Sequence, residues 1–176
     1  MKQELRKIAK EKRNNIYCDV LNIRVIEKLC LSQIYKNAKN IMTYYSIGSE
    51  VSTVKLLNDA TKNWYLPRID GDNLLICPYS KNKFFENKYK ILEPTTNPID
   101  DLSIIDMVII PAICADKNGY RIGYGKGYYD RFLKKLSPSC TKVILTFSEL
   151  FYDSVYPDTF DVCADYVVTD ISMYKI

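Results

Sequence analysis

The chain has 176 residues, 47% hydrophobic and 26% charged, proportions that predict one compact globular domain over residues 1–176. At this length about 70% of the unfolded surface is buried on folding, so no disulfide or metal staple is needed. The absence of histidine excludes Ser-His-Asp and Cys-His nucleophile systems, histidine-held zinc and imidazole proton transfer, and 25 Lys and Arg against 21 Asp and Glu leave a net charge of only +4.

The opening stretch sets Leu5, Ile8 and Ala9 among charges and predicts an amphipathic helix. A second helix is predicted over residues 19–36, with Leu21, Val25, Ile26, Leu29 and Ile34 at helical spacing. Residues 41–45 read as the first strand, ended by Ser46 and Gly48, and Ser49 or Ser52 can cap a helix running to about Thr61. Residues 64–66 and 74–77 read as short strands ended by Pro67 and Pro78, and polar residues 81–90 as a loop or hairpin. Met107–Ile110 is continuously apolar, as a strand buried on both faces requires. A helix over 127–136 and strands over 142–147 and 166–169 complete the series. Strands alternating with helices predict an α/β fold, a mostly parallel sheet with helices on both faces, whose ligands bind beyond the carboxyl ends of the strands.

Cys18, Cys30, Cys77, Cys114, Cys140 and Cys163 stand at least twelve positions apart, so no CxxC metal hook exists. The opening MKQELRKIAKEKR has no apolar segment, and the longest apolar run is far short of a membrane span. A cytoplasmic protein with reduced thiols is the expectation, with no membrane or nucleic-acid partner and a monomer favoured.

Four of the six glycines, Gly119, Gly123, Gly125 and Gly127, fall within nine residues, between the apolar strand and the helix after it. Glycine lets backbone N–H groups approach an anion closely, Arg121 and Lys126 add full positive charges, and Asp130 offers a hard oxygen suited to Mg²⁺. The segment is neither a Walker A loop, since Gly127 stands where Ser or Thr is needed, nor GxGxxG.

Pro111-Ala-Ile-Cys-Ala-Asp116, followed by Gly119-Tyr-Arg-Ile-Gly-Tyr-Gly-Lys-Gly-Tyr-Tyr-Asp-Arg-Phe-Leu133, closely resembles the signature of the 5-formyltetrahydrofolate cyclo-ligase family, also called 5,10-methenyltetrahydrofolate synthetases. Lys2-Gln-Glu-Leu-Arg6, Glu50-Val-Ser-Thr53, Leu66-Pro-Arg68, Glu93-Pro94 and the pair Asp161 and Asp165 follow in family order. Two positions depart: Phe160 stands where many members carry His, and Tyr124 where some carry Arg.

The resemblance implies the fold shared with sugar-phosphate isomerases and CoA transferases. It also implies ATP- and Mg²⁺-dependent closure of 5-formyltetrahydrofolate to 5,10-methenyltetrahydrofolate, with ADP and phosphate released. On that basis Lys126 and Arg121 are expected on the triphosphate and on the charge of the transfer. Lys2, Arg6, Gly123, Tyr124, Gly125, Gly127, Tyr128, Tyr129 and Asp130 are expected to contribute to ATP binding. Asp130 and Asp161 are the expected Mg²⁺ ligands, and Glu50 pairs with the pterin edge, Tyr128 beside it. Without the resemblance, Lys2 and Arg6 read as a solvated helix face. The competing readings are a nucleotide-responsive or RNA-binding protein on the same scaffold, using the basic first helix, and a sugar-phosphate isomerase with no need of ATP.

Overall fold

The computed structural model describes residues 1–87 and 91–176. Helix α1 (Lys2–Ile16) turns Ala9 and Arg13 inward. The single helix expected over 19–36 is two: α2 (Asp19–Leu31) stops where Ser32 takes an extended conformation, and the Ser32 hydroxyl then caps α3 (Gln33–Asn37) by accepting from Tyr35 N–H at 3.3 Å. Strand β1 (Asn40–Met42) is followed not by the expected helix but by a loop with one 3₁₀ segment, Val54–Asn58. Side chains compete with helix formation there, since Asn22 Oδ1 accepts from Ser52 N–H and the Thr53 hydroxyl donates to Tyr44 O.

Strand β2 (Asn63–Asp70) runs through Pro67, the residue expected to end it, while β3 (Asn73–Pro78) stops at Pro78 as expected. Tyr79 N–H donates to Trp64 O at 2.8 Å, which makes Leu66/Cys77, Arg68/Leu75 and Asp70/Asn73 the hydrogen-bonded pairs. Pro67 and Pro78 therefore occupy the intervening positions, where neither strand asks the other for an N–H. Strands β4 (Phe84–Glu86) and β5 (Leu92–Pro94) pair antiparallel, so the loop or hairpin expected over 81–90 is in part a hairpin, its last three residues lying outside the described ones.

Strand β6 (Met107–Ile110) is buried at every position, as expected, and β7 (Cys114–Asp116) and β8 (Arg121–Ile122) bracket the turn that opens the glycine segment. Helix α4 (Tyr128–Leu133) is shorter than expected because Lys135 and Leu136 already wind into i→i+3 turns before Pro138. Strands β9 (Thr141–Leu145), β10 (Phe151–Tyr152), β11 (Tyr166–Val168) and β12 (Met173–Lys175) complete the chain.

The main sheet has the order β12-β11-β9-β6-β1-β2-β3. Its interior pairs are parallel, and β3 and β12 are antiparallel edges. Alternate residues of the central strands enter two cores. Ile41, Met107, Ile109 and Val143 pack with α1, α2 and α3, while Met42, Val108, Ile110 and Ile144 pack with Phe132 and Leu133 of α4. From β1 the chain proceeds toward β2 and from β6 toward β9, so the connections diverge between β1 and β6. Among the described residues no helix is long and apolar enough to cross a membrane, and all six cysteines are unpaired.

Candidate active site

A cleft of about 770 Å³ opens where the connections from β1 and β6 diverge, within the size range of small-molecule sites. Glu50 and Tyr44 reach it from the segment after β1, and Pro111 from the residue after β6. Residues 123–130 form one wall, and Lys2 and Arg6 of α1 close one side. Leu66, Ile69, Leu74 and Leu92 make another part of the lining apolar.

Buried Asp116 shapes the approach to the glycine wall. Its Oδ1 accepts from the N–H groups of Asn118 and Tyr120 at 3.0 and 2.9 Å, and its Oδ2 from Val155 N–H at 2.9 Å. Arg6 Nε donates to Gly123 O at 2.9 Å, and its guanidinium lies about 3.5 Å from where a Cβ on Gly125 would stand. Gly127 enters α4 in the left-handed region, φ 67°. Arg131 donates to Lys126 O and, through Nε and the second NH₂, to Asp72 O at 2.9 and 2.6 Å, tying the end of the wall to the β2–β3 turn. The exposed Lys126 side chain has no hydrogen-bond or ion-pair partner among the described residues.

Arg121 borders the cleft but is buried. Its donors engage Val162 O and Asp130 Oδ1, both at 2.9 Å. Lys2 Nζ bridges Asp158 at 2.9 Å and Asp161 at 2.5 Å. Burial pulls the Lys2 ammonium down, but its hydrogen bonds and charge attraction to Asp158 and Asp161 outweigh this and raise its pKa above the ordinary lysine value. The two residues expected to hold Mg²⁺ thus lie on one cleft, each with a cationic neighbour. Asp130 Oδ2 and Asp161 Oδ1 accept no hydrogen bond among the described residues. No group of three or more acidic or cysteine side chains is built to cage a metal among those residues. Two open carboxylate oxygens nonetheless fit a hard cation that takes its remaining ligands from water and substrate phosphates, the usual habit of Mg²⁺.

At the other end Glu50 is 4% exposed. Its Oε2 accepts from Ile47 N–H and its Oε1 from the Tyr124 hydroxyl, both at 2.9 Å. Burial raises the Glu50 pKa above the ordinary carboxylate value, and these two donors and the Arg13 charge pull against it. Tyr128 lies under the Arg131 guanidinium, 5.3 Å from ring centre to carbon, with its hydroxyl 3.4 Å from Gly71 O. The Tyr129 hydroxyl is buried with no partner among the described residues.

Two features escaped sequence reasoning: Arg13, which is 3% exposed and donates to Ser49 Oγ, Ala112 O and the Tyr124 hydroxyl, and the Lys2 partner Asp158; Glu93, noted only for its place in the family order, is buried and accepts from Ile69 N–H. Arg13 did leave a signal. Lys2, Arg6, Ala9 and Arg13 follow one another at four, three and four positions, a single helical stripe whose small residue is fully buried. Lys2 and Arg6 line the cleft while Ala9 and Arg13 are buried, so the solvated-face reading of Lys2 and Arg6 does not hold.

Residues 1–170 match the family model described as the 5-formyltetrahydrofolate cyclo-ligase family. A 5-formyltetrahydrofolate cyclo-ligase of Haemophilus influenzae is 31% identical over 115 residues, which cover 56% of this chain and 58% of that protein. The one from Mycoplasma genitalium is 28% identical over 171 residues, 95% of this chain and 96% of that one. The NMR structure of Aquifex aeolicus 5,10-methenyltetrahydrofolate synthetase superposes with a TM-score of 0.88 at 28% identity, covering 99% of this chain and 92% of that chain.

Proposed function

Because the chain belongs to the 5-formyltetrahydrofolate cyclo-ligase family of enzymes, we propose that it closes 5-formyltetrahydrofolate to 5,10-methenyltetrahydrofolate at the expense of ATP, with Mg²⁺ bound. The observation that carries this reading is one cleft joining a glycine-loop lysine, without a partner among the described residues, to a buried carboxylate beside an apolar wall. The first suits a phosphate chain and the second the amino-pyrimidine edge of a pterin, which offers two donors to a carboxylate.

The chemical difficulty is the leaving group, since the formyl oxygen belongs to an amide and does not depart as oxide. In the proposed reaction that oxygen attacks the γ-phosphorus of ATP and the bond to ADP breaks. N10 then adds to the activated formyl carbon, the N10 proton is lost, and the carbon–oxygen bond breaks to release phosphate. No protein nucleophile or histidine is needed, so the chain's task is alignment and charge stabilisation. Lys126, with Lys2 and Arg6 beside it, meets the phosphates. The backbone of residues 123–127 cradles them, with Tyr124, Tyr128 and Tyr129 alongside. Arg121 acts from below by holding Asp130. Asp130 and Asp161 would hold Mg²⁺, whose chemistry is to screen phosphate charge. Glu50 orients the pterin, Tyr128 next to it.

The test is incubation with ATP, Mg²⁺ and 5-formyltetrahydrofolate while the methenyl chromophore and ADP are followed together. One ADP per ring closed, and no chromophore without ATP, is the expected result. Equal chromophore with and without ATP overturns the phosphorylation step, and no chromophore under any condition overturns the assignment.

A further inference from the structure

Glu50, Tyr124 and Arg13 come from three separate parts of the chain and form one hydrogen-bonded series. Arg13 NH2 donates to the Tyr124 hydroxyl at 2.9 Å, and that hydroxyl lies 2.9 Å from Glu50 Oε1. A guanidinium only donates, so the tyrosine oxygen is the acceptor in the first contact and its single proton is free only for Glu50. Glu50 Oε1 must therefore accept, and Oε2 already accepts from Ile47 N–H. Arg13 is itself immobilised by Ser49 Oγ at 3.2 Å and Ala112 O at 3.0 Å, so the direction of the series is set from α1.

We propose that Arg13 is a positioning residue for the folate: acting through the Tyr124 hydroxyl, it fixes the Glu50 carboxylate in the orientation and acceptor state that a pterin edge requires. The proposal rests on the assignment of Glu50 to the folate. Among the described residues four ionisable side chains face Glu50: Arg13 from α1, Tyr44 from the segment after β1, Tyr124 from the glycine wall and Tyr129 from α4. Burial raises all three tyrosines above their ordinary pKa, so they stay neutral over an enzymatic pH range and Arg13 is the one of the four that carries charge. The same series links the nucleotide wall to the folate carboxylate through a single hydroxyl.

The test is steady-state kinetics across pH on the full chain, varying each substrate in turn, for wild type, Tyr124→Phe, Arg13→Gln, Arg13→Lys and Glu50→Gln. Tyr124→Phe and Arg13→Gln are expected to raise KM for 5-formyltetrahydrofolate about tenfold, the scale of one charge-assisted hydrogen bond, and Arg13→Gln to leave KM for ATP nearly unchanged. The acid limb of kcat/KM for the folate moves to higher pH in both, because Glu50 loses what favours its ionised form. Arg13→Lys keeps the charge without the fork and recovers part of the limb. Should Arg13→Gln fail to fold, Tyr124→Phe decides, since it removes one oxygen from a half-exposed ring. Wild-type limbs and folate KM in Tyr124→Phe, with a raised folate KM in Glu50→Gln, overturn the proposal alone. An unchanged folate KM in Glu50→Gln overturns the folate assignment and the proposal with it.

Discussion

Lys126 is exposed on a loop held by its neighbours' backbone and by Arg131, so its side chain does not support the fold and is free for the phosphate role proposed for it. Replacing it with alanine is expected to lower kcat by roughly 10²–10³-fold, the scale of one lost charge stabiliser in a transition state, while urea unfolding stays within about 0.5 kcal/mol of wild type. Unchanged turnover in the folded variant removes Lys126 from the transfer step. Asp130→Asn is expected to act twice. It weakens the Mg²⁺ site, raising the Mg²⁺ concentration for half-maximal activity, and it takes the carboxylate from buried Arg121, lowering stability by about 1–3 kcal/mol. A stability loss with an unmoved Mg²⁺ titration would leave Asp130 as the partner of Arg121 and nothing more. That Lys126 and Asp130 line the cleft was legible because they stand beside clustered glycines. The partner of Arg121 was not, since which of several carboxylates meets a guanidinium depends on how β8, α4 and residue 162 are brought together.

Helix α1 was legible as an element from its apolar spacing, but its basic stripe could be placed only once the site it covers was known. Lys2 ties its first turn to Asp158 and Asp161. The folded pKa of Lys2 is raised, so this contribution is fully present below the ordinary lysine pKa and is lost as pH rises through the folded value. Lys2→Met is accordingly expected to cost about 0.5 kcal/mol at neutral pH in low salt and nothing in strongly alkaline buffer, read from paired urea curves. The turn between β7 and β8 makes a stronger demand. Gly119 has φ 77°, and a Cβ there would lie 2.7 Å from Ala164 O. Gly119→Ala should destabilise by at least about 1–2 kcal/mol, more than Gly48→Ala, whose Cβ would meet nothing within 4 Å. A glycine count does not separate a glycine packed against a backbone carbonyl from one lining a ligand site. Pro67 misled for a related reason: a proline breaks a strand only if its nitrogen faces the partner, and pairing register is absent from a local sequence window.

Across the whole molecule, Met107–Ile110 announced a doubly buried strand, and the α/β class followed from it. The antiparallel edge β12, and the small sheet of β10, β7 and β8, have no comparable periodicity because two or three residues are too few to show one. Both faces of the sheet are filled, the second largely through Phe132 and Leu133 of α4, the helix that directly follows the glycine wall. Phe132→Ala is expected to cost about 3–5 kcal/mol and to raise KM for ATP in whatever remains folded, measured by unfolding and by kinetics on the same preparation. Saturating ATP with Mg²⁺ should stabilise wild type by about 2.7 kcal/mol at a hundredfold excess over Kd, read as a rise in Tm. The contact between Lys2 and Asp161 closes 159 positions of chain. During synthesis Glu50 and the glycine loop are made before residues 158–161, by an interval on the order of seconds for the loop. A nascent chain at that stage lacks the carboxylates that anchor α1 and one proposed metal carboxylate, so the proposed site is completed only by the last part of the chain to be made.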